Sequence, residues 1–152
     1  MKKLLLLIPL VLLLINCSED DKTPENEPII PEDNFIRASD MSFLPLIESE
    51  NTTYFNSANQ AEDALTTLKN AGCNTIRIRL WKNPIDNQSS FNQVKTLAQR
   101  VKQAGMKVWL TVHYSDTWAD PGQQNTPTQW ESLSFTNLKN EVVNYTETIM
   151  TE

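Results

Sequence analysis

The chain has 152 residues, with 13 Lys plus Arg against 19 Asp plus Glu and a formal net charge of −6. That balance excludes nucleic acid as a leading partner, since no basic footprint exists; four Trp argue against disorder, and two Cys are too few for a small disulfide framework. The acids are unevenly placed. Ser18 to Asn34 holds seven acids and one base, whereas the 118 residues from Phe35 onward hold 12 acids and 10 bases.

Met1-Lys2-Lys3 is a positive start, and Leu4 to Ile15 is an almost unbroken apolar run of 12 residues. A run that short suits an export signal and falls below the roughly 20 residues that span a bilayer as a helix. It ends at Asn16-Cys17-Ser18, which resembles a bacterial lipoprotein signal whose Cys becomes the lipidated first residue. Asn16 is a less usual residue at that place, and plain secretion with Cys17 incidental is the alternative. We therefore expect a signal peptide over residues 1–16 and an acidic tether over 17–34 that starts at lipidated Cys17. The expected destination is the outer membrane or cell surface, with the lipid anchor as the contact to the membrane. Pro24, Pro28 and Pro31 among acids cannot build a core, so the tether reads as an extended linker.

From Phe35 the pattern changes period repeatedly. Phe35 to Phe43 reads as a strand with Ile36, Ala38 and Asp40 on one face. Ser57 and Gln60 form a capping pair that predicts a helix start, with Ala61, Ala64, Leu65 and Leu68 as its stripe and Gly72 as its stop. Glu48 and Glu50 then fall in a loop between strand and helix. Asn74 to Trp81 alternates with period two and predicts a second strand. Ser90 and Gln93 repeat the capping pair, Val94, Leu97, Ala98 and Val101 form the stripe, and Gly105 is the stop. Lys107 to Tyr114 is a third strand, and Leu138, Val142, Tyr145 and Ile149 mark a helix over about 135–150. Cys73, between a helix end and a strand, reads as a small buried apolar residue. Strand and helix in alternation imply a parallel α/β sheet with helical crossovers. With both edges of such a sheet open, the expectation is that residues 35–152 are the front part of a longer domain.

In βα architectures functional residues gather past the C-terminal ends of strands. The second strand carries Arg77, Arg79 and Trp81 on one face and Ile76, Ile78 and Leu80 on the other. Buried arginines are costly unless they meet acids, so other strands must supply carboxylates to that interior. The third strand ends in His113-Tyr114-Ser115-Asp116-Thr117-Trp118-Ala119-Asp120-Pro121. Acids that bond hydroxyls and flat rings that stack on C–H faces make this the composition of a sugar site. A metal site from His113, Asp116 and Asp120 competes, but a lone His makes it the weaker reading. We assign no metal and no cofactor. Asp116 and Asp120 equally suit loop capping before Pro-Gly, and Trp118 and Trp130 suit core packing of the loop as well as stacking on a ligand.

At these residues the chain resembles glycoside hydrolase family 53, the arabinogalactan endo-β-1,4-galactanases. The likeness runs from about Ile36 onward and rests on Ser39-Asp40-Met41-Ser42, on Arg77-Ile78-Arg79-Leu80-Trp81 with Asn83-Pro84, and on the unbroken run His113 to Pro121, with Gln124, Pro127 and Trp130 following in step. Ala38 and Ser39 depart from the family's usual Gly and Ala. The resemblance implies that residues 35–152 are the first three βα units of a (β/α)8 TIM barrel. The implied reaction is retaining endo-hydrolysis of β-1,4-galactosidic bonds, with galactan or arabinogalactan as the partner. It places two catalytic glutamates after the fourth and seventh strands. None of Glu48, Glu50, Glu131, Glu141 or Glu147 fits either motif, so no catalytic residue is assigned here. By the same likeness Arg79 would lie beside the nucleophile, Asp40 and His113 would bond the sugar at the cleavage point, and Asp116, Trp118 and Asp120 would shape the cleft. The alternative expectation is an inactive, truncated lipoprotein that at most binds galactan.

Overall fold

The computed structural model describes residues 35–151. The signal, the tether and Cys17 lie outside these residues. Strands β1 (Ala38–Asp40), β2 (Thr75–Trp81) and β3 (Lys107–His113) form a parallel sheet in the order β1-β2-β3. Helices α1 (Leu44–Ser49) and α2 (Ala64–Asn70) cross from β1 to β2, α3 (Phe91–Gln103) crosses from β2 to β3, and α4 (Phe135–Thr151) follows β3.

The period of two in β2 divides its two faces by chemistry. Ile76, Ile78 and Leu80 are fully buried against Leu65 from α2 and Val94, Leu97 and Val101 from α3. Each such side chain contributes about 1.5–3 kcal/mol by leaving water. The opposite face presents Arg77, Arg79 and Trp81, in register with Trp109, Thr111 and His113 of β3. The sheet therefore has one dry side under helices and one polar side, as the alternation predicts.

Both glycine stops hold. Gly72 and Gly105 take φ of +93° and +73°, and the turns close with the paired bonds of a Schellman motif: Cys73 N to Leu68 O at 2.9 Å, and Met106 N to Val101 O at 3.1 Å. Ser90 caps α3, its hydroxyl accepting from Gln93 N, while the Gln93 side chain returns to Ser89 N at 2.7 Å. Cys73 is half-buried, and its thiol donates to the Arg37 and Thr75 carbonyls.

Three expectations need correction, all between β1 and β2. The first strand is short because Leu44 N bonds Met41 O at 2.9 Å and turns the chain into α1. Glu48 thus sits in a helix rather than a loop, and Glu50 is the residue that ends it. Ser57 does not start α2. Asp63 does, accepting from Thr66 N at 3.0 Å. The Asn56 side chain takes the Ala58 and Gln60 amides at 3.0 Å each, so residues 56–60 close a turn and offer no free donors for Ser57 to cap. Arg100 then ties these pieces to α3, bonding Glu48 through both carboxylate oxygens at 2.7 and 2.9 Å and Asp63 at 3.0 Å.

Candidate active site

The polar side of the sheet is organised around one carboxylate. Asp40, the last residue of β1, pairs with Arg77 Nη1 at 2.7 Å and with Arg79 Nη2 at 3.3 Å. The demand for acids on this face is thus met in part from within the chain. Arg77 also donates from Nε to Thr111 at 2.9 Å, which links all three strands. Ser42 bonds Asp40 Oδ1 with its hydroxyl at 2.6 Å and its amide at 3.0 Å. Burial acts to raise the Asp40 pKa. The two Ser42 bonds and then the charges of Arg79 and Arg77 outweigh it, so the carboxyl sits below its ordinary value.

Arg79 is only 7 % exposed. Its guanidinium lies between two rings, 4.4 Å from the Trp118 centroid and 4.9 Å from that of Phe43. Such stacking suits a planar, weakly hydrated cation. Trp118 therefore reaches back over the second strand from the loop after the third. His113 meets the same indole edge to face, with centroids 5.9 Å apart. Its Nδ1 accepts from Ala119 N at 3.2 Å. Burial, followed by the charges of Arg79 and Arg77, lowers the His113 pKa against the opposing pull of Asp40. The ring is held neutral near pH 7, with Nε2 carrying the proton.

The structure thus brings Asp40, Arg79, His113 and Trp118 together. Asp116 and Asp120 make their hydrogen bonds within the loop, the use that the residue pattern also allowed. Asp116 Oδ2 accepts from Thr128 N at 2.9 Å, at the head of the short helical turn Thr128–Trp130. Asp120 accepts from Gly122 N at 2.7 Å and from the Trp118 indole at 3.1 Å, so it aims the ring that covers Arg79. Trp130 is core: it is buried, stacks on Tyr114 and meets Tyr145 edge to face. Lys82 lies over the Tyr145 ring at 4.7 Å, and burial pushes the Tyr145 hydroxyl up to about 12, with Tyr114 and Asp116 adding to the effect. A cleft of about 500 Å³ opens beside this aromatic group, lined by His113, Asp120, Leu138 and Val142 among others. Among the described residues no group of three or more His, Cys, Asp or Glu is placed to hold a metal ion. Three contributors escaped the sequence reading as site residues: Ser42, Phe43 and Gln88. Only the spacing Asp40-Met41-Ser42, an Asx-turn pattern, signals one of them.

Residues 36–152 match the sequence model of Glycosyl hydrolase family 53. The chain belongs to that family. It is 37% identical over 122 residues to an endo-beta-1,4-galactanase of Bacillus subtilis (strain 168), covering 75% of this chain and 28% of that one. It is 41% identical over 110 residues to arabinogalactan endo-beta-1,4-galactanase A of Emericella nidulans, covering 72% and 31%. Among solved structures, a fungal beta-1,4-galactanase superposes with a TM-score of 0.73 at 36% identity, covering 75% of this chain and 34% of that one. The GH53 catalytic domain of Ignisphaera aggregans gives 0.73 at 34% identity, covering 77% and 35%. The chain spans about a third of the length of the curated relatives it matches. The fold is therefore that of the N-terminal βα units of a (β/α)8 barrel, and the polar side of the sheet faces the barrel interior.

Proposed function

We propose that this chain forms part of the sugar-binding floor of a retaining endo-β-1,4-galactanase that acts on galactan or arabinogalactan. The observation that carries the reading is the cluster of Asp40, Arg79, His113 and Trp118 at the C-terminal ends of parallel strands, in a chain whose relatives bear galactanase names. Each group has a chemical task. The Asp40 carboxylate accepts from a sugar hydroxyl. Neutral His113 donates from Nε2, a bond that an imidazolium would make less selectively. Arg79, with Arg77 competing for the same carboxylate, retains unpaired donors for a second acid. A carboxylate nucleophile beside it would stay ionised through charge and hydrogen bonding. Retention requires two carboxyl groups about 5 Å apart across the scissile bond, and both would come from strands beyond those described.

The chain's N-terminal pattern adds a location to this reading. Cys17 would carry the lipid, and the acidic segment would hold the barrel away from the membrane surface.

The test is expression from the complete open reading frame, followed by incubation with linear β-1,4-galactan. Rapid loss of viscosity together with new reducing ends that first appear as the β-anomer would support the proposal. Inverted product, or cleavage of another glycan in preference to galactan, would refute it. Binding without cleavage would favour a lipoprotein that only holds the polysaccharide. Radiolabelled palmitate incorporation that survives Cys17→Ser would refute the anchor.

A further inference from the structure

We infer that Ser42, clamped by Gln88, is a positioning residue that holds the Asp40 carboxylate and the Arg79 backbone in sugar-binding geometry. The inference rests on reading Asp40 and Arg79 as sugar-facing groups, and it adds the support that keeps them there.

The β1–β2 ladder breaks just after Met41. Met41 N bonds Arg77 O at 3.1 Å, as a parallel pair requires. The next acceptor along that edge, Met41 O, has turned away to receive Leu44 N. Arg79 N is left facing a gap in the strand, and the Ser42 hydroxyl fills it, accepting at 2.9 Å. The same oxygen donates its hydrogen to Asp40 Oδ1 at 2.6 Å. One hydroxyl thus stands in for a backbone carbonyl and orients the carboxylate at once. Ser42 is 3 % exposed, so water cannot take over either bond without opening the site.

What holds Ser42 is unusual backbone. Gln88, 6 % exposed, donates from Nε2 to Ser42 O at 3.0 Å. Its neighbours Asn87 and Ser89 have φ of +64° and +58°. Asn tolerates the left-handed region, but a buried Ser gains nothing obvious from it, and each such residue costs on the order of 1 kcal/mol or more. The conformation persists because it is over-determined: Trp81 N bonds Ser89 O at 2.9 Å, and Gln93 receives Ser89 N at 2.7 Å. The effect of the strained loop is to drive the Gln88 side chain down onto the turn that carries Ser42.

The groups facing Asp40 are the charged Arg77 and Arg79 from β2 and the titratable His113 from β3. None of them depends on Ser42 for its charge. Loss of the hydroxyl therefore acts on Asp40 by removing a bond to its ionised form, and the carboxyl must then titrate at higher pH.

The experiment uses protein expressed from the complete open reading frame. Asp40 is followed by carbon-detected NMR titration, and kcat/KM on galactan is measured across pH. In Ser42→Ala the Asp40 midpoint moves up, the acid limb of kcat/KM moves with it, and kcat/KM at neutral pH falls about tenfold. Ser42→Thr, which keeps the hydroxyl, restores the midpoint. An Asp40 midpoint unmoved by Ser42→Ala overturns the inference, even if activity falls. Should Ser42→Ala fail to fold, Ser42→Cys, with its weakly bonding thiol, is read the same way. Asp40→Asn separates this inference from the reading it rests on: wild-type kcat/KM in that variant refutes the sugar-site assignment. An impaired Asp40→Asn beside an unmoved midpoint in Ser42→Ala refutes the positioning role alone.

Discussion

Asp40→Asn changes one atom and removes the negative charge that two arginines share. The cost follows from how each pair meets water. The Arg79 side chain is 8 % exposed, Asp40 31 % and Arg77 35 %. Stranding one partner of a fully buried pair costs about 3–5 kcal/mol, whereas exposed pairs contribute at most about 1 kcal/mol. The Arg79 pair lies between these limits because its carboxylate is partly wet, and the Arg77 pair lies near the lower one. Asn keeps an oxygen for Ser42, which limits the loss. The expected destabilisation at pH 7 is therefore about 2–3 kcal/mol. Its pH dependence has a definite sign. The folded-state pKa of Asp40 is lowered, so its contribution is complete above the unfolded value of about 3.9 and fades as pH falls through the folded value. Urea unfolding of both proteins, expressed from the complete reading frame, should show the full difference at neutral pH and a progressively smaller one as pH falls below the unfolded value of about 3.9. A difference below about 0.5 kcal/mol at pH 7, the scatter of ordinary surface substitutions, or one that does not change with pH, would refute the reasoning.

Two further outcomes test the local architecture. Ser90→Ala should cost about 1 kcal/mol in chemical denaturation, as loss of a helix cap does, while Ser57→Ala should stay within about 0.5 kcal/mol; equal effects would place the second helix start wrongly. Gly72→Ala should lower stability by about 1–2 kcal/mol, since φ of +93° is left-handed, and a thermal midpoint that does not fall would show that the cap relaxes freely.

Where one physical effect dominates, the sequence is readable almost to the residue. Alternation fixes β2 because Ile76, Ile78 and Leu80 have only one dry side to occupy. The stripe of α3 and its Ser90 cap agree with one another and with Gly105. Legibility fails between Met41 and Asp63, where side chains compete with backbone for the same donors. Asn56 wins the amides that Ser57 would need, and Pro45 in the first turn marks a helix that the strand-like start conceals. The site divides in the same way. Two arginines on one face require an acid, which charge alone foretells, but that Asp40 is this acid follows from the strand register. Phe43 and Trp118 flank Arg79 only because two loops from different strands converge, and Gln88 reaches Ser42 across 46 residues of chain. No local pattern records such long-range meetings.

The shared carboxylate also gives substitution at this site a direction. Arg77, a third exposed, can be replaced first, leaving Arg79 and Asp40 as a balanced pair. Replacing Asp40 first strands two cations at once, one of them almost dry. Replacing Arg79 first empties the slot between Phe43 and Trp118. Drift among these three positions therefore begins most cheaply at Arg77, the one whose loss leaves no dry charge unpaired.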